Sequence, residues 1–151
     1  MRGARESGVT LIELVVSIVV VALAAGAVLG VLARSAGTSA DAMVLRQAVS
    51  IAEAYLEEIT LRPFADPDNV DGEVGRANFD DVDDYDGLVD VGARDQFGNA
   101  IASLAGYTVR VTVQPSGALA GVPSTHAERV DVRVTYPPSV DFTLSAYRTR
   151  Y

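Results

Sequence analysis

Gly8-Val9-Thr10-Leu11-Ile12-Glu13 runs directly into twenty uncharged residues, 14–33, made almost entirely of Val, Ala, Leu, Ile and Gly. At about 1.5 Å per helical residue this stretch covers roughly 30 Å, the thickness of a bilayer's hydrocarbon core. The pattern predicts a helix that crosses a membrane once. Glu13 stands at its mouth, where an ionised side chain is costly: about 2.5–3.5 kcal/mol at a helix centre on insertion scales, and less toward an end. A carboxylate kept in such a place needs a cation. Arg2 and Arg5 precede the run and only Arg34 follows it closely. The positive-inside bias therefore puts the short N-terminus in the cytoplasm and the remaining chain outside.

An ordinary secretory signal is the rival reading, with Arg2 and Arg5 as its basic region and residues 22–24 or 25–27 as a small-residue cleavage site. Such signals carry an apolar run of 7–15 residues, shorter than this one, and do not lead into a further helical pattern. A short basic leader ending in Gly8, then Thr10-Leu11-Ile12-Glu13 and an apolar helix, instead resembles the class III signal of type IV pilins. The resemblance implies that a prepilin peptidase cuts between Gly8 and Val9 on the cytoplasmic face. It also implies that the new Val9 amine is methylated and that the membrane helix is retained. Glu13, with Thr10 beside it, then becomes an assembly residue, neutralising the Val9 amine of a neighbouring subunit so that two costly charges become one buried pair. Val9 departs from the Phe or Met more usual at that position.

With the leader gone, 151 residues leave room for one membrane helix and one small domain of about 90 residues. The expected organisation is a leader at 1–8, a membrane or filament-core half-helix at 9–33, an amphipathic half-helix at 34–62, an acidic connector at 63–96 and a sheet region at 97–151. There is no cysteine, which excludes disulfides, thiol catalysis and cysteine metal sites. Many major pilins close a C-terminal loop with a disulfide, so its absence favours a minor component. All twelve basic residues are Arg.

Beyond Arg34 no proline interrupts the chain until Pro63, which predicts one helix of about fifty residues. Leu45, Ala48, Ala52, Tyr55, Leu56 and Ile59 recur at spacings of three and four and are expected to face a sheet. Arg46, Gln47, Ser50, Glu53, Glu57 and Glu58 fall on the other side. The expected fold is α+β: a long N-terminal α-helix, membrane-spanning in its first half and amphipathic in its second, packed on a small antiparallel β-sheet. The family resemblance implies the same lollipop architecture. Gly26 and Gly30 form a G-x-x-x-G match that permits close helix pairing in lipid. Each costs about 1 kcal/mol relative to Ala in a helix, so they are also candidates for the place where the helix extends when subunits pack into a filament.

Between Asp66 and Asp95 there are eleven acidic residues against only Arg76 and Arg94. Removing Arg2, Arg5 and Glu6 with the leader leaves ten Arg and nineteen acidic residues, so this connector carries the whole mature net charge of minus nine. Such a surface repels phosphate, and nucleic acid is an unsuitable ligand. Two fragments, Asp66-Pro67-Asp68-Asn69-Val70-Asp71-Gly72 and Asp81-Val82-Asp83-Asp84-Tyr85-Asp86-Gly87, share the pattern D-x-D-x-x-D-G. They make Asp66, Asp68, Asp71, Asp81, Asp83 and Asp86 calcium candidates, although neither matches the strict EF-hand loop. The competing reading has Asp80 or Asp81 capping a short helical turn with the other carboxylates solvated. Calcium is the only cofactor the sequence suggests.

Alternation of apolar and polar residues is clearest at 107–113, 130–136 and 140–147, with a weaker signal at 87–91. Pro137-Pro138-Ser139 is short enough to make the last two strands antiparallel neighbours, and residues 114–127 read as a long exposed loop. The single His126 lies beside Ser124 and Thr125 with no orienting carboxylate, and no phosphate loop or nucleophile elbow is present, so nothing points to an enzyme.

The runs at 52–59, 62–64 and 79–87, with Ser145-Ala146-Tyr147-Arg148-Thr149 near the end, resemble the D-type minor pilins of the mannose-sensitive haemagglutinin pilus. That resemblance implies a low-copy filament protein that primes assembly or sits near the tip. Its partners would be other pilins, the prepilin peptidase and the inner-membrane assembly platform. A minor pseudopilin of a type II secretion system and a tip-located adhesin module are the alternatives.

Overall fold

The computed structural model describes residues 10–68 and 73–150, without the side chains of residues 34–40. Helix α1 spans Leu11–Thr60, fifty residues without a break. The chain divides into two compact units, one ending at Ala40 and one beginning at Asp41.

Within the first unit the chain is helical from Leu11 onward, and Leu11–Ala33 is long and apolar enough to cross a membrane. Every described side chain in that stretch is exposed, so its Leu, Ile and Val residues have no protein surface to cover them. Gly26 and Gly30 are both helical, with open space where a Cβ would project.

The second unit joins the C-terminal turns of α1 to a four-stranded antiparallel sheet in the order β1-β2-β3-β4. Its strands are β1 Val89–Val91, β2 Thr108–Pro115, β3 Ala127–Tyr136 and β4 Val140–Thr149. Register follows from β-branched residues at every second position. Val109 lies opposite Val134, Val111 opposite Val132 and Val113 opposite Val130, so one face is a continuous bed of valine. Ala48, Ile51, Ala52, Tyr55, Leu56 and Ile59 of α1 share a single core with that face. Each large aliphatic side chain buried there contributes about 1.5–3 kcal/mol. The α+β arrangement of a long helix and a small antiparallel sheet is therefore as expected.

The helix stripe differs in two places. Leu45 is largely exposed, while Ile51, one turn before Tyr55, is buried. Glu58 and Gln47 also leave the solvent-facing side: Glu58 is engaged by Arg76 and by the Tyr85 hydroxyl, and Gln47 Oε1 accepts the Tyr107 hydroxyl at 2.7 Å. Polar groups at the rim of the stripe are thus recruited by tyrosines and an arginine from distant parts of the chain. The helix stops at Thr60, three residues before Pro63, where the Thr60 hydroxyl turns back on the Leu56 carbonyl. Residue 113 does not end the second strand, which continues to Pro115. Ala127 is buried and opens β3, so the exposed connection is confined to residues 116–126.

The acidic connector is anchored to the domain at several points. Tyr85 is fully buried with its ring edge against Phe79, and the Val82 N–H donates to the Pro63 carbonyl. The strand β1 arises within residues 63–96 and pairs with β2, which places Asp90 opposite Val109 on the buried face. Beyond it, Gly92 holds φ of 81° and its N–H reaches the Tyr107 carbonyl at 2.7 Å, a left-handed turn that glycine tolerates without strain.

Candidate functional site

Thr10 and Glu13 open α1 as a T-x-x-E sequence. The Glu13 N–H approaches the Thr10 hydroxyl oxygen at 3.4 Å, the Leu14 N–H donates to the Thr10 carbonyl at 3.1 Å, and the Ser17 hydroxyl donates to the Glu13 carbonyl. Thr10 therefore occupies the capping position, and Glu13 lies in the first turn, where the helix dipole favours an anion by about 0.3–1 kcal/mol. Among the described residues nothing donates a hydrogen bond to the Glu13 carboxylate, which stays exposed beside Leu11, Ile12 and Leu14. An anion presented this way at an apolar helix mouth is suited to receive a cation from another chain. Gly8 and Val9, the expected cleavage and methylation positions, lie outside the described residues.

The connector holds a second constellation. Carboxylate oxygens of Asp66, Asp68 and Asp80 lie within 4.8 Å of one another, as do those of Glu73, Asp80 and Asp84. Asp80 belongs to both groups, and burial and then the charges of Asp68 and Asp66 raise its pKa. Among the described residues, Asp66 and Asp68 are the calcium candidates that fall in these groups. Asp66 and Asp68 gather with Asp80 from the other fragment's flank, and Asp71 lies outside the described residues. In the second fragment Asp81 Oδ1 accepts the Asp84 N–H while Asp84 Oδ2 accepts the N–H groups of Asp80 and Asp81. This reciprocal arrangement braces the single turn Asp83–Tyr85. Asp86 Oδ1 is taken by the Val113 N–H at 2.8 Å, tying the connector to β2 instead of joining Asp81 and Asp83.

Two residues of consequence escape a reading of motifs. Arg76 is buried at the centre of an ion cluster with Glu58 and Asp90, its guanidinium carbon 4.0 Å from the Tyr55 ring centre. Burial opposes its charge, but the bonds to Glu58 and Tyr55 outweigh that and raise its pKa. Its standing as one of only two basic residues in an acidic run is the signal that points to such a role. Glu128 is buried on the sheet's inner face, and it shares the parity of Val130, Val132 and Val134. That parity is the signal available for it.

Residues 3–29 match a family model described as the prokaryotic N-terminal methylation motif. No curated protein and no solved structure matches the chain significantly. The chain thus carries, ahead of an α+β domain, the prepilin-type class III signal that makes it similar to type IV pilins and pseudopilins.

Proposed function

We propose that the chain is a minor structural subunit of a type IV pilus, made as a single-pass inner-membrane prepilin with its N-terminus in the cytoplasm. In this reading a prepilin peptidase cleaves between Gly8 and Val9 and the Val9 amine is methylated. The protein then joins other pilins through residues 9–33 at the inner-membrane assembly platform, and afterwards stands at the cell surface. Glu13 carries the reading: an exposed carboxylate in the first turn of a membrane-length helix, within the matched methylation motif. In a filament core it meets the new amine of an adjoining protomer, and their mutual attraction offsets the desolvation cost each charge would carry alone. The absence of cysteine and the resemblance to the D-type haemagglutinin pilins favour a low-copy part that primes assembly or sits near the tip. A minor pseudopilin would use Glu13 identically.

The test is fractionation of cells producing the Glu13→Ala chain. The variant should be processed and remain in the inner membrane while its amount in sheared filaments falls at least about tenfold, the effect of roughly 1.4 kcal/mol. Filaments containing it at the wild-type level would contradict the reading. Loss of protein secretion with pili unchanged would assign the same chemistry to a secretion system.

A further inference from the structure

The inner face of β3 reads Glu128, Val130, Val132, Val134, so one acid stands in line with three fully buried valines. Only 7% of Glu128 is exposed, and its Oε2 is buried without a hydrogen-bond partner among the described residues. Across the sheet it faces Pro115 on β2, which carries no charge, and Arg148 on β4, whose guanidinium donates to the carbonyls of Arg62 and Thr149. No ion pair involving Glu128 occurs among the described residues. The connector covers this end of the sheet. Asp86 Oδ1 accepts the Val113 N–H, Val113 lies opposite Val130, and Val82 and Tyr85 share the core with both valines. The charged groups that the connector brings nearest are acids, Asp83 and Asp81, and neither joins the carboxylate groups gathered around Asp80.

A buried carboxylate without a cation or a donor is costly, whereas the neutral acid is tolerated among apolar neighbours. We propose that Glu128 is a proton-operated fastener between β3 and the acidic connector: protonated, it continues the apolar face beneath the connector, and ionised, it loosens that junction. Burial, and then the charges of Asp83 and Asp81, raise its pKa from 4.5 to about 7. The folded chain therefore holds this proton more tightly than the unfolded chain does. Its contribution to stability is complete below pH 4.5 and is lost as pH rises from 4.5 to about 7, by at most about tenfold in the folding constant per pH unit. The sign is opposite to that of an ion-paired carboxylate such as Asp141, whose pKa the Arg133 guanidinium lowers. The fastener is independent of the assembly role of Glu13.

Carbon-13 NMR of the full chain in detergent micelles, with labelled glutamate carboxyls, tests this. The Glu128 carboxyl carbon should titrate with a midpoint of about 7, and a midpoint below about 6 overturns the proposal. In parallel, the melting temperature of the wild type should fall between pH 4.5 and about 7 relative to that of Glu128→Gln, which keeps the shape and cannot ionise. Above that window the variant should be the more stable of the two, with a folding constant larger by on the order of 100-fold. Amide exchange at Val113, whose N–H is held by Asp86, should quicken across the window more in the wild type than in the variant. Parallel melting profiles, or equal exchange at Val113 in the two proteins, would equally overturn the fastener. Where Glu128→Gln fails to fold, the wild-type titration midpoint decides alone.

Discussion

Arg76 and Glu58 form a two-pronged ion pair, Nη2 donating to Oε2 at 2.6 Å and Nε to Oε1 at 3.0 Å, across eighteen residues of sequence. The same guanidinium donates to Asp90 at 2.9 Å, and the Tyr55 hydroxyl donates to Asp90 at 2.7 Å. One arginine thereby ties the connector to α1 and to β1. Removing it leaves half-buried Glu58 without its cation and buried Asp90 with only the looser contact to Arg94 at 3.4 Å, and breaking a buried pair in that way costs about 3–5 kcal/mol. Arg76→Ala should lower the unfolding free energy by that amount in denaturant titrations of the full chain in detergent. Arg76→Lys should recover only part, because an ammonium lacks the planar fork. A loss below about 1 kcal/mol for Arg76→Ala would show that the cluster is solvated.

Tyr55 gives the fold a defined alkaline limit. Burial, and then the hydrogen bond to Asp90, push its hydroxyl from 10.0 up to about 12. The folded chain holds this proton more tightly than the unfolded chain does. Its contribution is therefore complete below pH 10 and is lost as pH rises from about 10 to about 12, by at most about 1.4 kcal/mol per unit. Melting temperature should fall across that window and fall less steeply in Tyr55→Phe. An equal slope in both proteins would remove Tyr55 as the cause.

Gly106 sits where a side chain has no room. A Cβ there would lie 2.6 Å from Cε2 of Tyr136, whose ring packs against Tyr107 at 4.9 Å between centres. Gly106→Ala should cost about 1–3 kcal/mol through the displaced ring. Adding Tyr136→Ser should relieve most of that penalty in a double-mutant cycle. Additive losses would place the strain in the backbone instead.

The strands were legible because Val recurs at every second position of β2 and β3 with turn residues between them, and the sheet shows that alternation as one valine face. The helix was legible in extent because proline is missing until Pro63, although it stops at Thr60. Its stripe was less so: Leu45 and Ile51 exchange places at the margin, and Glu58 turns inward because Arg76 arrives from beyond the helix. Charge counting gave the connector's sign but not its anchoring, since Tyr85, Asp86 and Asp90 are held by partners 27–35 residues away in sequence. Local motifs fail in such a place because hydrogen bonds from other elements claim the carboxylates. The place of Glu13 in the first turn of α1 was legible, since it is set by position along an apolar run.

Gly8 tests processing separately from assembly. A bulky residue, as in Gly8→Leu, should block cleavage and keep Arg2 and Arg5 attached, so the chain accumulates as an inner-membrane precursor about eight residues longer than the mature form. Normal processing of Gly8→Leu would separate the cleavage step from this glycine.

The most direct test is intact-mass and N-terminal sequencing of the chain purified from cells with an active prepilin peptidase. The account predicts a mature protein that begins at Val9 with one added methyl group on its amine. A protein that still begins at Met1, or one cut within residues 22–27, would contradict it.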